Sequence, residues 1–321
     1  MRAMIVAAGL GTRLRPFTNW YPKPALPVRG LPLIAYSLAL LARDGVREVA
    51  INVHHLPEKL MAAAREHCPP GLALHFSLER ELLDTGGGIR RMAAFLRESD
   101  PCLVIGGDML FDVDLAGLAA RHRARRSAAT LLLLDDPRAA AFGSLGVDAD
   151  GRVRRIAKRF DLGGEVGSGL YTWINVFSPR LFDSLPEREV FSHLDHWLAP
   201  ELAAGADDIR AELVSRALCR WQPVGTPEEY LDANLDPRPI RGFDAAARAR
   251  ARGVRFEADL VVGAGARLAP GARLRRAVVW DAEQVPAECS GSDGVFAAGA
   301  FHACRAAHRD APAVPPAEAG A

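Results

Sequence analysis

The chain has 321 residues, a formal net charge of +1, and 25% charged side chains. That balance leaves no electrostatic footprint for nucleic acid or an acidic membrane, and no apolar run reaches the about 18 residues a membrane span needs. Its five cysteines are odd in number and scattered without a CxxC pair, so the sequence gives no sign of a disulfide framework or a zinc ribbon and points to a reduced, cytoplasmic protein.

Taken in chain order, AMIVAAG (3–9) reads as a buried strand, PLIAYSLALLARDG (32–45) as a helix opened by Pro32 and stopped by Gly45, and REVAINV (47–53) as a strand. The helix PEKLMAAAREH (57–67), the alternating strand LALHFSLE (72–79), the helix GGIRRMAAFLRE (87–98) and the apolar strand CLVIGGD (102–108) follow. DLAGLAARHRARR is a helix whose arginines form its solvated C-terminal end, and AATLLLL is a strand. Strands alternating with helices predict βαβ units around a mainly parallel sheet. Beyond Asp135 the pattern turns strand-rich. It has a hairpin at 143–157, a strand at 169–178, two short helical stretches, the strand LCRWQPVG and the helix PEEYLDANL.

A linker, DPRPIRG (236–242), precedes a weak six-residue period in which Val262, Leu268 and Leu274 recur. That spacing resembles a left-handed parallel β-helix with one apolar residue per hexad in its core. So short a solenoid must lean on the first domain or on a second copy of the chain. The expected division is a first domain over 1–235, a linker over 236–255, a hexad appendage over 256–305 and a disordered Pro/Ala-rich tail over 306–321.

The chemistry concentrates in GLGTRLRPFTNWYPKP (9–24). A strand ending in a glycine turn can ring an anion with backbone N–H groups. A dinucleotide fingerprint would continue directly into a helix, but Pro16, Pro22, Pro24 and Pro27 forbid one, and INVHH (51–55) lacks the acidic partner of that fold. There is no P-loop motif either. The loop is long and stiff, suited to wrapping a triphosphate, with Arg13 and Lys23 as cationic fingers and Lys23 held between two prolines.

GLGTRLRPFTNWYPKPALPV (9–28) resembles the signature of the sugar-1-phosphate nucleotidyltransferases, which join an NTP to a sugar 1-phosphate with Mg²⁺ and release pyrophosphate. The resemblance covers residues 1 to about 235. LDTGGGI (83–89) is most like the muramic-acid uridylyltransferase branch, and the hexads look like the appendage of mannose-1-phosphate guanylyltransferases. The resemblance implies a Rossmann-like α/β nucleotidyltransferase domain with a mainly parallel mixed sheet, plus the short β-helix-like appendage. It places Ala8, Gly9, Gly11, Thr12 and Arg13 around the NTP phosphates, and Thr85, Gly86 and Gly87 at the base. Arg13 and Lys23 become the catalytic cations, Asp108 the Mg²⁺ ligand, and Lys158 and Trp173 the sugar-phosphate side. Physically, fixed cations lower the barrier to joining two anions, and Mg²⁺ favours a carboxylate at the C-terminal end of a central strand.

Three positions depart from the family pattern: Pro223 replaces the second metal carboxylate in WQPVGTP, Trp173 replaces a glycine, and Ala157 replaces the glutamate before Lys158. They fall on the metal and sugar side, so a nucleotide-binding regulatory homologue stands beside the enzyme as a second reading. Elsewhere, His193 and His196 in HLDH read as core or surface histidines rather than a metal pair, and Asp114 reads as the N-cap of the following helix. The partners expected are an NTP, a sugar 1-phosphate and a second copy of the chain through the hexads, with no nucleic acid and no membrane.

Overall fold

In a computed structural model that describes residues 1–139 and 143–305, the first apolar run forms β1 (Arg2–Val6), with Ala3, Met4 and Ile5 fully buried. A small hairpin, β2 (Pro27–Val28) and β3 (Leu31–Pro32), leads into α1 (Leu33–Arg43). Then come β4 (Glu48–Val53), α2 (Pro57–Glu66), β5 (Ala73–Leu78), α3 (Asp84–Arg91), α4 (Ala93–Arg97), β6 (Cys102–Gly106), β7 (Met109–Asp112), α5 (Leu115–Ala124) and β8 (Ala129–Asp135). The expected single helix over 87–98 instead starts at Asp84 and breaks at Met92, whose N–H bonds back to Ile89 O in a tightened last turn.

The later strands are β9 (Ser144–Val147), β10 (Val153–Ile156), β11 (Phe160–Asp161), β12 (Gly167–Phe177), β13 (Ile209–Ser215) and β14 (Arg220–Pro223). The main sheet is mixed and Rossmann-like. It runs β11-β10-β9-β12-β6-β1-β4-β5, with β8 joining β12 to β13. β5, β4, β1 and β6 are parallel, whereas β12 is antiparallel to β6, β8 and β9. The chain leaves β1 toward β4 and returns from β5 to β6, so the connections diverge between β1 and β6. In an open α/β sheet the ligand crevice opens at that point, beyond the carboxyl ends of the strands.

After α6 (Ala199–Ala203), α7 (Pro227–Leu235) is fixed by a capping box: Glu229 N–H donates to Thr226 Oγ1 (3.2 Å), and Glu229 Oε2 accepts from Thr226 N–H (3.1 Å) and Gly225 N–H (2.6 Å). Such a cap contributes about 1 kcal/mol. Part of the expected linker is itself helical: α8 (Ala245–Ala251) is alanine-rich and capped by Asp244, which accepts from Ala247 N–H.

From Arg255 the chain coils. β16 (Leu260–Val262), β18 (Arg273–Val279) and β20 (Ser290–Ala297) stack in parallel beside β15 (Arg255–Phe256), and β17 (Arg267–Leu268) pairs with β19 (Gln284–Val285). Leu260 pairs with Ala277, and Ala277 with Gly294, so each coil takes seventeen residues rather than three hexads. The corners at Arg276 and Asp293 have positive φ, and a charge ladder ties them: Asp259 accepts from Arg276 N–H, and Arg276 Nε pairs with Asp293 at 2.9 Å. Val262 is fully buried in the core of this β-helix-like unit, and Leu268 and Leu274 pack partly buried against it. β21 (Ala300–Ala303) folds back on β20. The tail beyond residue 305, expected to be disordered, lies outside the described residues.

Candidate active site

Beyond β1, Ala7 N–H donates to Asn52 Oδ1 (2.6 Å), Asn52 Nδ2 donates to Glu79 Oε1 (2.8 Å), and Glu79 Oε2 accepts from Leu83 N–H (3.2 Å). Asn52 and Glu79 are almost wholly buried. This polar brace ties the ends of β1, β4 and β5 to the start of α3. Buried polar groups persist where they are mutually satisfied, so the brace fixes the first residues of the glycine loop. Sequence reasoning missed it, although Asn52 in an otherwise apolar strand was a usable signal.

Gly11 has φ +63°, and a side-chain carbon there would lie 2.9 Å from Thr18 Cγ2, so both backbone and space require glycine. The prolines admit only three 3₁₀ turns, at Thr12–Leu14, Phe17–Asn19 and Lys23–Ala25. Leu14 and Phe17 anchor the loop in the core. Thr18 pins it from both sides, donating its hydroxyl to Gly11 O (3.0 Å) while His55 Nε2 sits 2.7 Å from Thr18 O. Arg13 remains exposed, and Lys23 Nζ pairs with Asp108 Oδ2 at 2.8 Å. Both cations converge on Gly225: a carbon added there would lie 3.3 Å from Arg13 Nη2 and 3.7 Å from Lys23 Nζ.

These groups wall a cavity of about 550 Å³ at the switch point. Of the residues singled out from the sequence, Ala8, Gly9, Gly11, Thr12, Arg13, Lys23, Thr85, Asp108 and Trp173 line it. Gly86, Gly87 and Lys158 do not. Gly86 and Gly87 are buried inside the first turn of α3, and their N–H groups donate to Phe191 O (2.8 and 3.3 Å). A carbon on Gly87 would meet Glu189 O at 2.1 Å, so its close neighbour is protein backbone. Gly87→Ala is expected to destabilise the fold by about 1–3 kcal/mol through overpacking, read as a lowered Tm. An unchanged Tm would mean that the 189–191 segment moves aside freely. Lys158 is exposed on the turn between β10 and β11, where Ala157 has φ +49° and Arg159 pairs with Asp195.

Trp173 sits at a register shift in β12 with φ +63°, a backbone state that accounts physically for the glycine the family pattern has there. Its ring lies 4.6 Å from that of His193 and 5.5 Å from that of Tyr171. Tyr171 O–H donates to Asn175 Oδ1 (2.7 Å), leaving its oxygen to accept from His193 Nε2 (2.9 Å), while His193 Nδ1 meets the Thr85 hydroxyl at 2.9 Å. Burial pushes the His193 pKa down to about 3, so the ring is neutral and both nitrogens are occupied. His196 Nδ1 accepts from Ser192 N–H.

Asp114 caps α5, accepting from Gly117 N–H, and Asp112 pairs with Arg43 and Arg241. Among the described residues no group of three or more His, Cys, Asp or Glu side chains could hold a metal. Pro223 stands opposite Met109 in the β14–β7 ladder, and Val224 N–H donates to Asp108 O (2.9 Å). Val224 thus stands opposite Asp108, and Pro223, one position along, carries no carboxylate. Mg²⁺ commonly binds through one or two carboxylates plus substrate phosphates, and half-exposed Asp108 at the cavity wall fits that donor set.

The profile of the nucleotidyl transferase family matches residues 2–238. The chain is 33% identical over 306 residues to the mannose-1-phosphate guanylyltransferase of Mycobacterium tuberculosis, covering 89% of this chain and 82% of that one. It is 32% identical to the N-acetylmuramate α-1-phosphate uridylyltransferase of Neisseria meningitidis (70% and 94% covered) and 28% identical to the UTP–glucose-1-phosphate uridylyltransferase of Synechocystis (73% and 62% covered). In fold it matches HddC from Yersinia pseudotuberculosis with a TM-score of 0.59 at 22% identity, over 73% of this chain and 97% of that one.

Proposed function

Because the chain belongs to the nucleotidyl transferase family, we propose that it transfers a nucleotidyl group from an NTP to a sugar 1-phosphate, releasing pyrophosphate. The observation that carries this reading is the convergence of Arg13, Lys23 and Asp108 over the glycine loop at the switch point. A phosphate oxygen of the sugar phosphate forms a bond to the NTP α-phosphorus in line with the bond to the bridging oxygen. That bond breaks, its electron pair leaves with pyrophosphate, and no water is consumed. The nucleophile is already anionic and needs no general base. Arg13 and Lys23 offset the charge of two anions brought together, and the loop N–H groups hold the leaving phosphates.

Mg²⁺, held by Asp108 with substrate phosphate oxygens, would supply Lewis-acid charge neutralisation. Thr85 faces the base side of the cavity, and the Trp173 indole the sugar side. Gly86 and Gly87 shape α3 rather than touch the base, and the sugar phosphate falls to the two loop cations rather than to Lys158. In this reading residues 1–235 carry the reaction in the cytoplasm, and the β-helix-like unit supports it or pairs with a second copy of the chain.

The test is pyrophosphate release from ATP, GTP, CTP, UTP and dTTP against a panel of sugar 1-phosphates, with and without Mg²⁺. Mannose 1-phosphate with GTP and N-acetylmuramate 1-phosphate with UTP come first, on the relatives' names. Mg²⁺-dependent release with one pair is the expected result. Pro223 beside Asp108 favours a second reading, a nucleotide-binding regulatory homologue, which predicts binding without release and a gain of turnover in Pro223→Asp.

A further inference from the structure

The loop between Gly11 and Lys23 has no sheet partner; single 3₁₀ turns and side-chain packing hold it. Much of that packing comes from residues more than 250 positions away. The ring of Trp280, at the end of β18, lies 5.8 Å from Phe17, 5.8 Å from Trp20 and 5.4 Å from Tyr21. Trp20 and Tyr21 meet it edge to face, at 87° and 77°, the favoured arrangement for aromatic pairs. Trp280 Nε1–H donates to Tyr230 Oη (2.9 Å), and Tyr230 O–H donates to Pro27 O (2.7 Å). Trp280 thus grips the loop midway between Arg13 and Lys23 and, through Tyr230, again just beyond Lys23. It is 7% exposed, and Tyr230 is fully buried.

We propose that Trp280 is a positioning residue for the cationic loop, so that the β-helix-like unit completes the scaffold of the active site. The assignment rests on the transferase reading, and its test has an arm that does not. In residues 9–28 the cationic sites are Arg13–Leu14, Arg15–Pro16, Lys23–Pro24 and none other. Trypsin cuts poorly before proline, so Arg13–Leu14 cleavage reports the freedom of this loop.

In full-length Trp280→Ala, well below its Tm, that cleavage is expected to accelerate at least tenfold. Its kcat should fall at least tenfold, with KM for the sugar phosphate within twofold. Trp280→Phe keeps a ring but loses the N–H; it should lower Tm yet stay within threefold of wild type in cleavage and kcat, which a merely structural role would not separate. Tyr21→Leu removes the contact from the loop side without touching the β-helix core, so it serves if Trp280→Ala fails to fold, and should accelerate cleavage about threefold. Wild-type cleavage and kcat in a folded Trp280→Ala, or wild-type cleavage in Tyr21→Leu, would overturn the proposal. If the wild-type protein turns over no substrate pair, the transferase reading falls, and the cleavage rates still decide whether Trp280 holds the loop.

Discussion

Lys23→Met is expected to lower kcat by about 10²–10³-fold while leaving the fold intact. Removing one preorganised electrostatic stabiliser from an active site typically has that effect. Lys23 meets the requirement of preorganisation: its Nζ is fixed 2.8 Å from Asp108 Oδ2, its side chain is 12% exposed, and prolines flank it on both sides. Methionine keeps the unbranched stem and deletes the charge. The abandoned Asp108 is half-exposed, where an ion pair contributes at most about 1 kcal/mol, so Tm should move by only about 3 °C. Steady-state pyrophosphate release and a thermal melt on the same sample separate the two effects. A variant that retains more than half of wild-type kcat would remove Lys23 from the chemistry.

Asp108→Asn should cost turnover on the same scale, about 10²–10³-fold, and raise the Mg²⁺ concentration needed for half-maximal rate. The amide preserves the shape of the side chain but cannot neutralise a divalent ion or offset Lys23. Pro223 and Val224, which lie across from Met109 and Asp108, bring no carboxylate to share the task. A Mg²⁺ titration of both proteins at saturating NTP reads the result. An unchanged half-maximal concentration would move the metal away from Asp108.

The alternating strands and helices around β1, β4, β5 and β6, and the stiff loop after β1, were legible because their signals are local. Apolar periodicity, prolines and the glycine at position 11 act on their own neighbourhood. Five features depended on what the fold brings together. The Asn52–Glu79 brace exists only once β4 pairs with β5. In DTGGGI the glycines were read as making room for the base, whereas Gly86 and Gly87 lie against the 189–191 segment. Lys158 followed the family pattern in sequence, yet the turn geometry leaves it in solvent. The hexad reading placed Val262 in the core, with Leu268 and Leu274 packed partly buried against it, but missed that each coil takes seventeen residues. Trp280 carried no local signal at all, since its ring partners lie in the first tenth of the chain.

The seventeen-residue coil also constrains how this protein can drift in length. Corner joins corner by Asp259, Arg276, Asp293 and then Arg305, which reaches Asp232 on α7 at 2.6 Å. A single codon gained or lost between residues 260 and 294 would put every later corner out of step and turn core positions outward, and one before residue 280 would also carry Trp280 away from the loop. Only the addition or removal of a whole turn preserves the stacking, so in this stretch the genetic unit of change is a complete coil.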